Sequence, residues 1–278
     1  MTLATRDILA FRYHAWRRAL GNFALLSQRD CVGQIASVHQ SGTHWLKFML
    51  ANALARHYGT PPPAFNHAND LIGGPRDAVV YPALPRLLSS HSMPHPLLTR
   101  ACAQRALGLP RYLVLVRDLR ASLASNYAKW QARYAVDFST YLRGDPAGRR
   151  YNSDLWWTLR FLNAWGDARA RAPARILALR YEDLVADTRA ALAAVVAHFR
   201  LPLTAGDLAH GIAASDKRSM AARDDPARPP GAVRIDDAGA PSFTPADRAY
   251  IAEACRRCLR HDFGYDYRVE ARPDATSS

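Results

Sequence analysis

Residues 40–45 are Gln-Ser-Gly-Thr-His-Trp and lie between a short apolar run and a strongly helical pattern. The backbone N–H groups of a tight turn, together with the N-terminus of a helix, bind anions such as phosphate. Gly42 lets the backbone approach such a ligand closely, and Ser41 and Thr43 add hydroxyl groups. The nucleotide-hydrolase pattern G-x-x-x-x-G-K-[ST] is absent, which argues against an ATPase or a kinase. We therefore predict a P-loop-like phosphate-binding turn at this position.

An arginine and a serine follow a second apolar run. Arg117 comes directly after residues 111–116, and Ser125 lies eight residues later, two turns into a helical pattern. An arginine fork and a hydroxyl group at this spacing can hold one phosphate together. An ion pair within the fold is the alternative role for Arg117.

A histidine and a tyrosine follow two further apolar runs. His91 is placed to act as a general base, because a histidine titrates near neutral pH. A structural role is the alternative, and His95, His39 and His44 are competing candidates for the base. Tyr181 opens the segment Tyr-Glu-Asp-Leu, where it would either stack on a nucleotide base or lie in the core.

These candidates require a scaffold that brings the ends of the apolar runs together. Strands that alternate with helices predict an α/β fold: a single domain with a central parallel sheet flanked by helices. Ligands of such a sheet bind at the carboxyl ends of its strands. Proline and glycine between residues 59 and 85 predict a surface excursion. The predicted strands are 31–38, 87–90, 111–116 and 175–179, and the predicted helices are 6–27, 44–58, 97–107, 121–133, 154–170, 188–199, 205–213 and 247–260.

The composition is that of a globular protein, with 49% hydrophobic and 22% charged residues. No stretch of about 20 apolar residues predicts a membrane span and no secretory signal pattern is present, so we expect a cytoplasmic protein. The net charge is +13, and only three of the 37 basic residues are lysines. Arginine suits phosphate and sulfate, and a solvated basic surface is the equal alternative. No zinc-finger or RNA-binding pattern appears, so we expect no nucleic-acid partner.

The sequence divides into three parts. Residues 1–30 hold a basic, aromatic, amphipathic helix that we expect to pack on the body of the domain; weak contact with a membrane surface is the alternative. Residues 31–268 form the single domain, and residues 269–278 form a disordered tail. Cys255 and Cys258 lie in a helical pattern without a second cysteine pair, which favours a structural role over a metal site.

Taken together, these motifs resemble those of the PAPS-dependent sulfotransferases. The family pattern is strand, K-S-G-T-T-W, helix; then strand, T-H-x-P; then strand, R-x₇-S, helix; then Y-E-D. The resemblance covers about residues 31–205. The matching residues are Ser41, Gly42, Thr43, Trp45, Ser90, His91, Pro94, Arg117, Ser125, Tyr181, Glu182 and Asp183.

The resemblance implies transfer of a sulfuryl group from 3′-phosphoadenosine-5′-phosphosulfate (PAPS), with adenosine-3′,5′-bisphosphate (PAP) as product and no metal. The acceptor would be a hydroxyl or amine of a small molecule, lipid or glycan. Residues 40–45, with His44 among them, would cradle the 5′-phosphosulfate. Arg117 and Ser125 would hold the 3′-phosphate, and Trp45 and Tyr181 would flank the adenine. His91 would be the catalytic base.

Two departures from the family pattern bear on activity. Gln40 stands at the catalytic lysine position, and losing that charge costs about 10²–10³ in rate. Either another cation such as His44 substitutes, or catalysis is slow, or the donor differs. The alternative function is a non-catalytic nucleotide-binding protein on a degenerate sulfotransferase fold. The family's donor-closing loop keeps only part of its pattern here, with Arg228 or Arg234 as candidates for the 3′-phosphate and a basic solvent loop as the alternative.

Aromatic residues in and beside the 59–85 and 130–155 segments suggest the chemistry of the acceptor. They favour an apolar or aromatic small molecule, or a lipid, unless they belong to the core. These residues are Phe65, Tyr81, Trp130, Tyr134, Tyr141, Trp156 and Trp157.

Overall fold

A central sheet of parallel strands organises the part of the chain that the computed structural model describes, which is residues 3–25, 28, 30–151, 153–223 and 241–267. The strands are β1 Gly33–Ser37, β2 Ile72–Gly73, β3 Leu87–Ser90, β4 Arg111–Val116 and β5 Ile176–Arg180. Their order across the sheet is β2-β3-β1-β4-β5, and each neighbouring pair is parallel.

Helices cover both faces of this sheet, which confirms the predicted α/β fold class. A short 3₁₀ helix, Pro96–Thr99, adds to them. The helices are α1 Thr5–Gly21, α2 Thr43–Tyr58, α3 Ala101–Ala106, α4 Leu119–Tyr134, α5 Phe138–Arg143, α6 Leu155–Arg171, α7 Tyr181–Ala186, α8 Thr188–Phe199, α9 Ala205–Ala213, α10 Lys217–Ala221 and α11 Pro245–Cys258.

The chain reverses its direction across the sheet at β1. β3 pairs with one edge of β1, and β4 pairs with the other. A reversal of this kind leaves a crevice at the carboxyl ends of the strands, where ligands bind. In the observed register Ala36 lies opposite both Ser90 and Val114. His91, Arg117 and the turn after β1 therefore meet at one edge of the sheet.

The core consists of two clusters, one on each face of the sheet. β4 shows the alternation that divides them: Tyr112 and Val114 pack with α4, α6 and α11, whereas Leu113 and Leu115 pack with α2, α8 and α9. Successive side chains of a strand point to opposite faces, so a continuous apolar run serves both clusters.

Several regions differ from the sequence prediction, among them the short helices α5, α7 and α10, which were not predicted. The 59–85 segment, predicted as a surface excursion, contains the strand β2, whose Ile72 is buried beside Leu71. The sequence did not predict this strand because two residues are too few to show a periodic pattern. The predicted helix 97–107 is interrupted at Arg100, whose extended backbone separates the 3₁₀ helix from α3.

The N-terminal helix α1 packs on the body of the domain through Ile8 and Phe11. The ring of Phe11 lies 5.4 Å from that of Trp156 on α6. The helix ends at Gly21, earlier than the predicted residue 27. In the described ranges no helix combines the length and apolar character that a membrane crossing requires. The expected tail at 269–278 lies outside the described residues.

Candidate active site

The turn between β1 and α2 leaves the first backbone N–H groups of α2 without a side-chain cap. Gln40 and Gly42 both have positive φ angles, 60° and 84°, and Gly42 is the N-cap residue. Helices α4, α6 and α8, by contrast, each begin with an aspartate whose carboxylate accepts a backbone N–H. Uncapped donors and the positive end of the helix dipole fit a phosphate or phosphosulfate group at α2.

Hydroxyl groups within the turn hold its shape. Ser41 Oγ donates to the carbonyl of Val38 at 2.7 Å, and Thr43 Oγ1 donates to Ser37 Oγ at 2.8 Å. Both hydroxyl protons are therefore used within the fold. The donors that face a ligand at this turn are the backbone N–H groups.

Gly42 lies directly beneath the ring of Tyr181. A Cβ atom at position 42 would come within 2.6 Å of Tyr181 Cδ2. The guanidinium carbon of Arg117 lies 4.6 Å from the centre of the same ring. Tyr181 thus contacts both the turn and Arg117, and its close approach to position 42 requires glycine there.

Gly42→Ala should lower the free energy of unfolding by about 1–3 kcal/mol and weaken PAP binding, because it combines a strained φ with displacement of Tyr181. Gly59→Ala is the matched control: Gly59 has a φ of +66° at the other end of α2, and no atom lies within 4 Å of its Cβ position. Urea unfolding and calorimetry with PAP measure both effects. Equal behaviour of the two variants would show that the Tyr181 contact is unimportant.

His91 projects from the end of β3 beside this turn. Its Nδ1–H donates to the carbonyl of Ser37 at 2.8 Å, so the neutral ring presents Nε2 as a proton acceptor. Burial by surrounding protein atoms lowers the pKa of His91 below its ordinary value of 6.5, and the charges of Lys129 and Lys47 lower it further, against the effect of the Ser37 hydrogen bond. The residue still keeps exposed surface through which an acceptor can approach.

His39 stacks on His91, a contact that the sequence did not predict. The two ring centres lie 3.7 Å apart with an angle of 26° between the planes, and the ring centre of Trp157 lies 4.9 Å from that of His39. Burial and the neighbouring His91 and Lys129 lower the pKa of His39 to about 3. Both stacked rings are therefore neutral near pH 7.

His44 is equally unsuited to supply the charge that Gln40 lacks. Burial and the charges of Lys47 and Lys129 lower the pKa of His44 to about 4. A histidine with this pKa is uncharged at neutral pH. His44 therefore adds no positive charge to the turn near pH 7.

Lys129 belongs to the face of α4 that lies against the turn. Ser122 on this face donates its Oγ to the carbonyl of His39 at 2.6 Å. Lys129 follows two turns later, about 10 Å along the helix axis, and helical side chains point back toward the N-terminus. Its charge contributes to the lowered pKa values of His39, His44 and His91. The ammonium group thus lies within electrostatic range of the whole site.

Arg117 follows the end of β4, and Ser125 lies on α4. β4 and β3, the strand that precedes His91, pair with opposite edges of β1. Arg117 Nη1 donates to the carbonyl of Gln40 at 3.1 Å, and the guanidinium makes no other hydrogen bond within the described residues. Its remaining donors can therefore face a phosphate. Ser125 is half-buried on α4. Arg228 and Arg234 lie outside the described residues.

The Tyr-Glu-Asp motif also joins separate parts of the fold. Glu182 accepts the backbone N–H of Asp118 at 3.2 Å and the hydroxyl of Tyr265. Trp45 donates its indole N–H to the carbonyl of Ser215 at 2.9 Å, which ties α2 to the end of α9. Glu182 and Trp45 thus hold together the helices and strands that surround the turn.

The seven aromatic candidates for the acceptor site differ in burial. Tyr141 and Trp156 are fully buried and belong to the core. Trp157 is half-buried against His39, and Trp130 is exposed, with its ring 5.5 Å from Lys129 Nζ. Phe65 is also exposed, and Tyr81 and Tyr134 are half-buried. Trp157 lies beside the site through its contact with His39.

Comparison with known proteins agrees with this arrangement. The sulfotransferase family model matches residues 92–205. Among solved structures, mouse sulfotransferase SULT7A1 complexed with PAP superposes with a TM-score of 0.54 and 16% identity, covering 91% of this chain and 92% of that chain. Retinol dehydratase in complex with retinol and PAP gives a TM-score of 0.46 and 15% identity over 74% of this chain and 70% of that chain. No curated protein sequence matches the chain.

The family model covers the motifs at residues 117–125 and 181–183, whereas those at 40–45 and 91 lie outside its match. The resemblance to the sulfotransferase family is therefore confirmed, in sequence over residues 92–205 and in fold over most of the chain.

Proposed function

We propose that this protein transfers a sulfuryl group from PAPS to a hydroxyl or amine of a small-molecule, lipid or glycan acceptor. The observation that carries the proposal is the position of His91, whose Nδ1 is fixed by the Ser37 carbonyl beside the uncapped start of α2. A base and an anion site then lie side by side. This is the arrangement that transfer from a phosphate leaving group requires.

His91 Nε2 accepts the proton of the acceptor O–H or N–H as the acceptor atom bonds to sulfur. The Ser37 carbonyl holds the other ring nitrogen protonated, which fixes the tautomer and stabilises the imidazolium that forms. The donor supplies a sulfuryl group whose bond to the bridging phosphate oxygen breaks, so that PAP departs with the negative charge. The N–H groups at the start of α2 stabilise that charge.

Lys129 supplies the positive charge that Gln40 does not. His39 and His44 are neutral, with pKa values of about 3 and 4. Lys47, the other lysine near the site, is buried and donates from Nζ to Asn69 Oδ1 at 2.8 Å. Lys129 is exposed on the face of α4 that contacts the turn, and its positive charge acts on His39, His44 and His91.

Arg117 is assigned to the 3′-phosphate together with Ser125. Arg117→Ala should weaken PAP roughly 10- to 100-fold and leave the affinity for adenosine-5′-phosphate nearly unchanged, because it removes charge-assisted hydrogen bonds to one phosphate only. Calorimetry with both nucleotides measures the difference, and Arg169→Ala on the exposed end of α6 is the control. Equal losses for the two nucleotides would contradict the 3′-phosphate role.

A non-catalytic nucleotide-binding protein is the second candidate function, and Gln40 favours it. Both candidate functions predict that PAP binds, but only the sulfotransferase predicts transfer of the sulfuryl group to an acceptor. Incubation with radiolabelled PAPS and a panel of phenols, sterols, amines and glycans distinguishes them. Tight PAP binding without transfer to any acceptor, and without release of sulfate, would support the binding protein.

A further inference from the structure

One side of α1 exposes an apolar stripe to solvent, and of its residues Phe23 also stacks on the ring of His95 at 4.9 Å. The stripe residues follow one another at intervals of four, three and four positions, which places them on one face of the helix. Ile8 and Phe11, which do pack on the domain, point the other way. The stripe consists of Leu9, Tyr13, Trp16 and Leu20, with Phe23 just beyond the helix, and their exposed fractions are 61%, 54%, 62%, 44% and 58%.

Arginines border this stripe on both sides. At 100° per residue Arg12 lies along one edge, and Arg6 and Arg17 lie along the other; all three are exposed. Asp7, the one acidic residue of α1, lies near the buried face of the helix, and its Oδ1 is 3.8 Å from Arg6 Nε. An apolar stripe with Tyr and Trp between rows of arginine is the pattern of helices that lie in the interface of a membrane.

We propose that α1 docks this protein onto the surface of an anionic lipid membrane. A second copy of the chain is the competing occupant, and charge argues against it. A symmetric pair that buries the stripe would bring the arginine rows of both copies together. Anionic headgroups instead neutralise them, and the net charge of +13 adds long-range attraction.

The C-terminal end of α1 contacts the segment that follows His91 in the chain. His95 Nε2 donates to the carbonyl of Leu20 at 3.2 Å, and Asn22 Nδ2 donates to the carbonyl of Met93 at 2.8 Å. Met93 and His95 belong to the segment 91–95, which begins at His91. A protein docked through α1 therefore holds this segment next to the membrane. On the proposed function, this favours an acceptor whose hydroxyl or amine is carried by a lipid.

Flotation with vesicles tests the docking without any need for turnover. The full chain should float with vesicles of phosphatidylcholine and phosphatidylglycerol, but not with phosphatidylcholine alone, and added salt should release it. Leu9→Gln, Trp16→Gln and Leu20→Gln combined should reduce flotation at least about tenfold. The matched control is Val79→Gln with Val80→Gln, two exposed apolar residues elsewhere.

Charge variants separate the contribution of the arginines. Arg6→Gln, Arg12→Gln and Arg17→Gln combined should lose flotation on the anionic vesicles, whereas Arg169→Gln with Arg171→Gln on α6 should keep it. Calorimetry with PAP shows that each variant is folded, and it reports on the donor site separately. Equal flotation on both kinds of vesicle, or full flotation of the stripe variant, would overturn the proposal. The proposal would also be overturned if the parent protein is a dimer that binds no vesicle, and if the stripe variant is a monomer.

Discussion

His91→Ala is expected to lower sulfuryl transfer by about 10²–10⁴ while the affinity for PAP stays within a few-fold of the parent protein. The reason is the geometry of the ring: Nδ1 is held by the Ser37 carbonyl, and Nε2 alone faces the acceptor. Removal of the ring takes away the proton acceptor and leaves the start of α2 intact. His210→Ala, an exposed histidine on α9, is the control and should transfer at the parental rate.

The pH dependence of the parent protein gives a second test of the same role. Burial lowers the pKa of His91 below 6.5, so the neutral form that accepts a proton persists to lower pH than for a free histidine. The transfer rate should therefore fall only as the pH drops below about 6.5, through the lowered pKa. A rate that begins to fall well above that value, or full activity of His91→Ala, would contradict the assignment.

Lys129→Met is expected to lower the rate constant for transfer by about 10²–10³ with little effect on the stability of the fold. This is the effect of removing one cation from a developing negative charge. Lys129→Arg keeps the charge and should retain most of the activity. Gln131→Ala, an exposed neighbour on α4, is the control for changes to the helix itself.

Restoring the charge within the turn tests the assignment more sharply. Gln40→Lys places an ammonium group where the sulfotransferase pattern has one, so it should restore transfer in the Lys129→Met background. The same change in the parent protein should add much less. If Lys47→Met causes the loss and Lys129→Met does not, the buried lysine carries the role and Lys129 is wrongly assigned.

The carboxyl edge of the sheet could be predicted because its residues follow strands directly in the sequence. β1, β3, β4 and β5 are apolar runs ended by Val38, His91, Arg117 and Tyr181, and parallel pairing brings such ends together without further information. The register of β1 with β3 then fixes the distance between His91 and the turn.

Residues that reach the site from elsewhere could not be predicted in this way. Lys129 lies on the same helical face as Ser122 and Ser125, but only the contact between Ser122 and the His39 carbonyl shows that this face meets the turn. The stacking of His39 on His91 depends on side-chain rotation, which sequence spacing does not determine. β2 was missed because its two residues owe their strand conformation to pairing with β3.

Binding of PAP to the full chain, measured by calorimetry beside adenosine-5′-phosphate and ATP, is the most direct test of the donor site. We expect PAP to bind at least about tenfold more tightly than either, because Arg117 and Ser125 are assigned to the 3′-phosphate that only PAP carries. Absence of PAP binding, or equal affinity for the three nucleotides, would contradict the proposal that this fold uses PAPS.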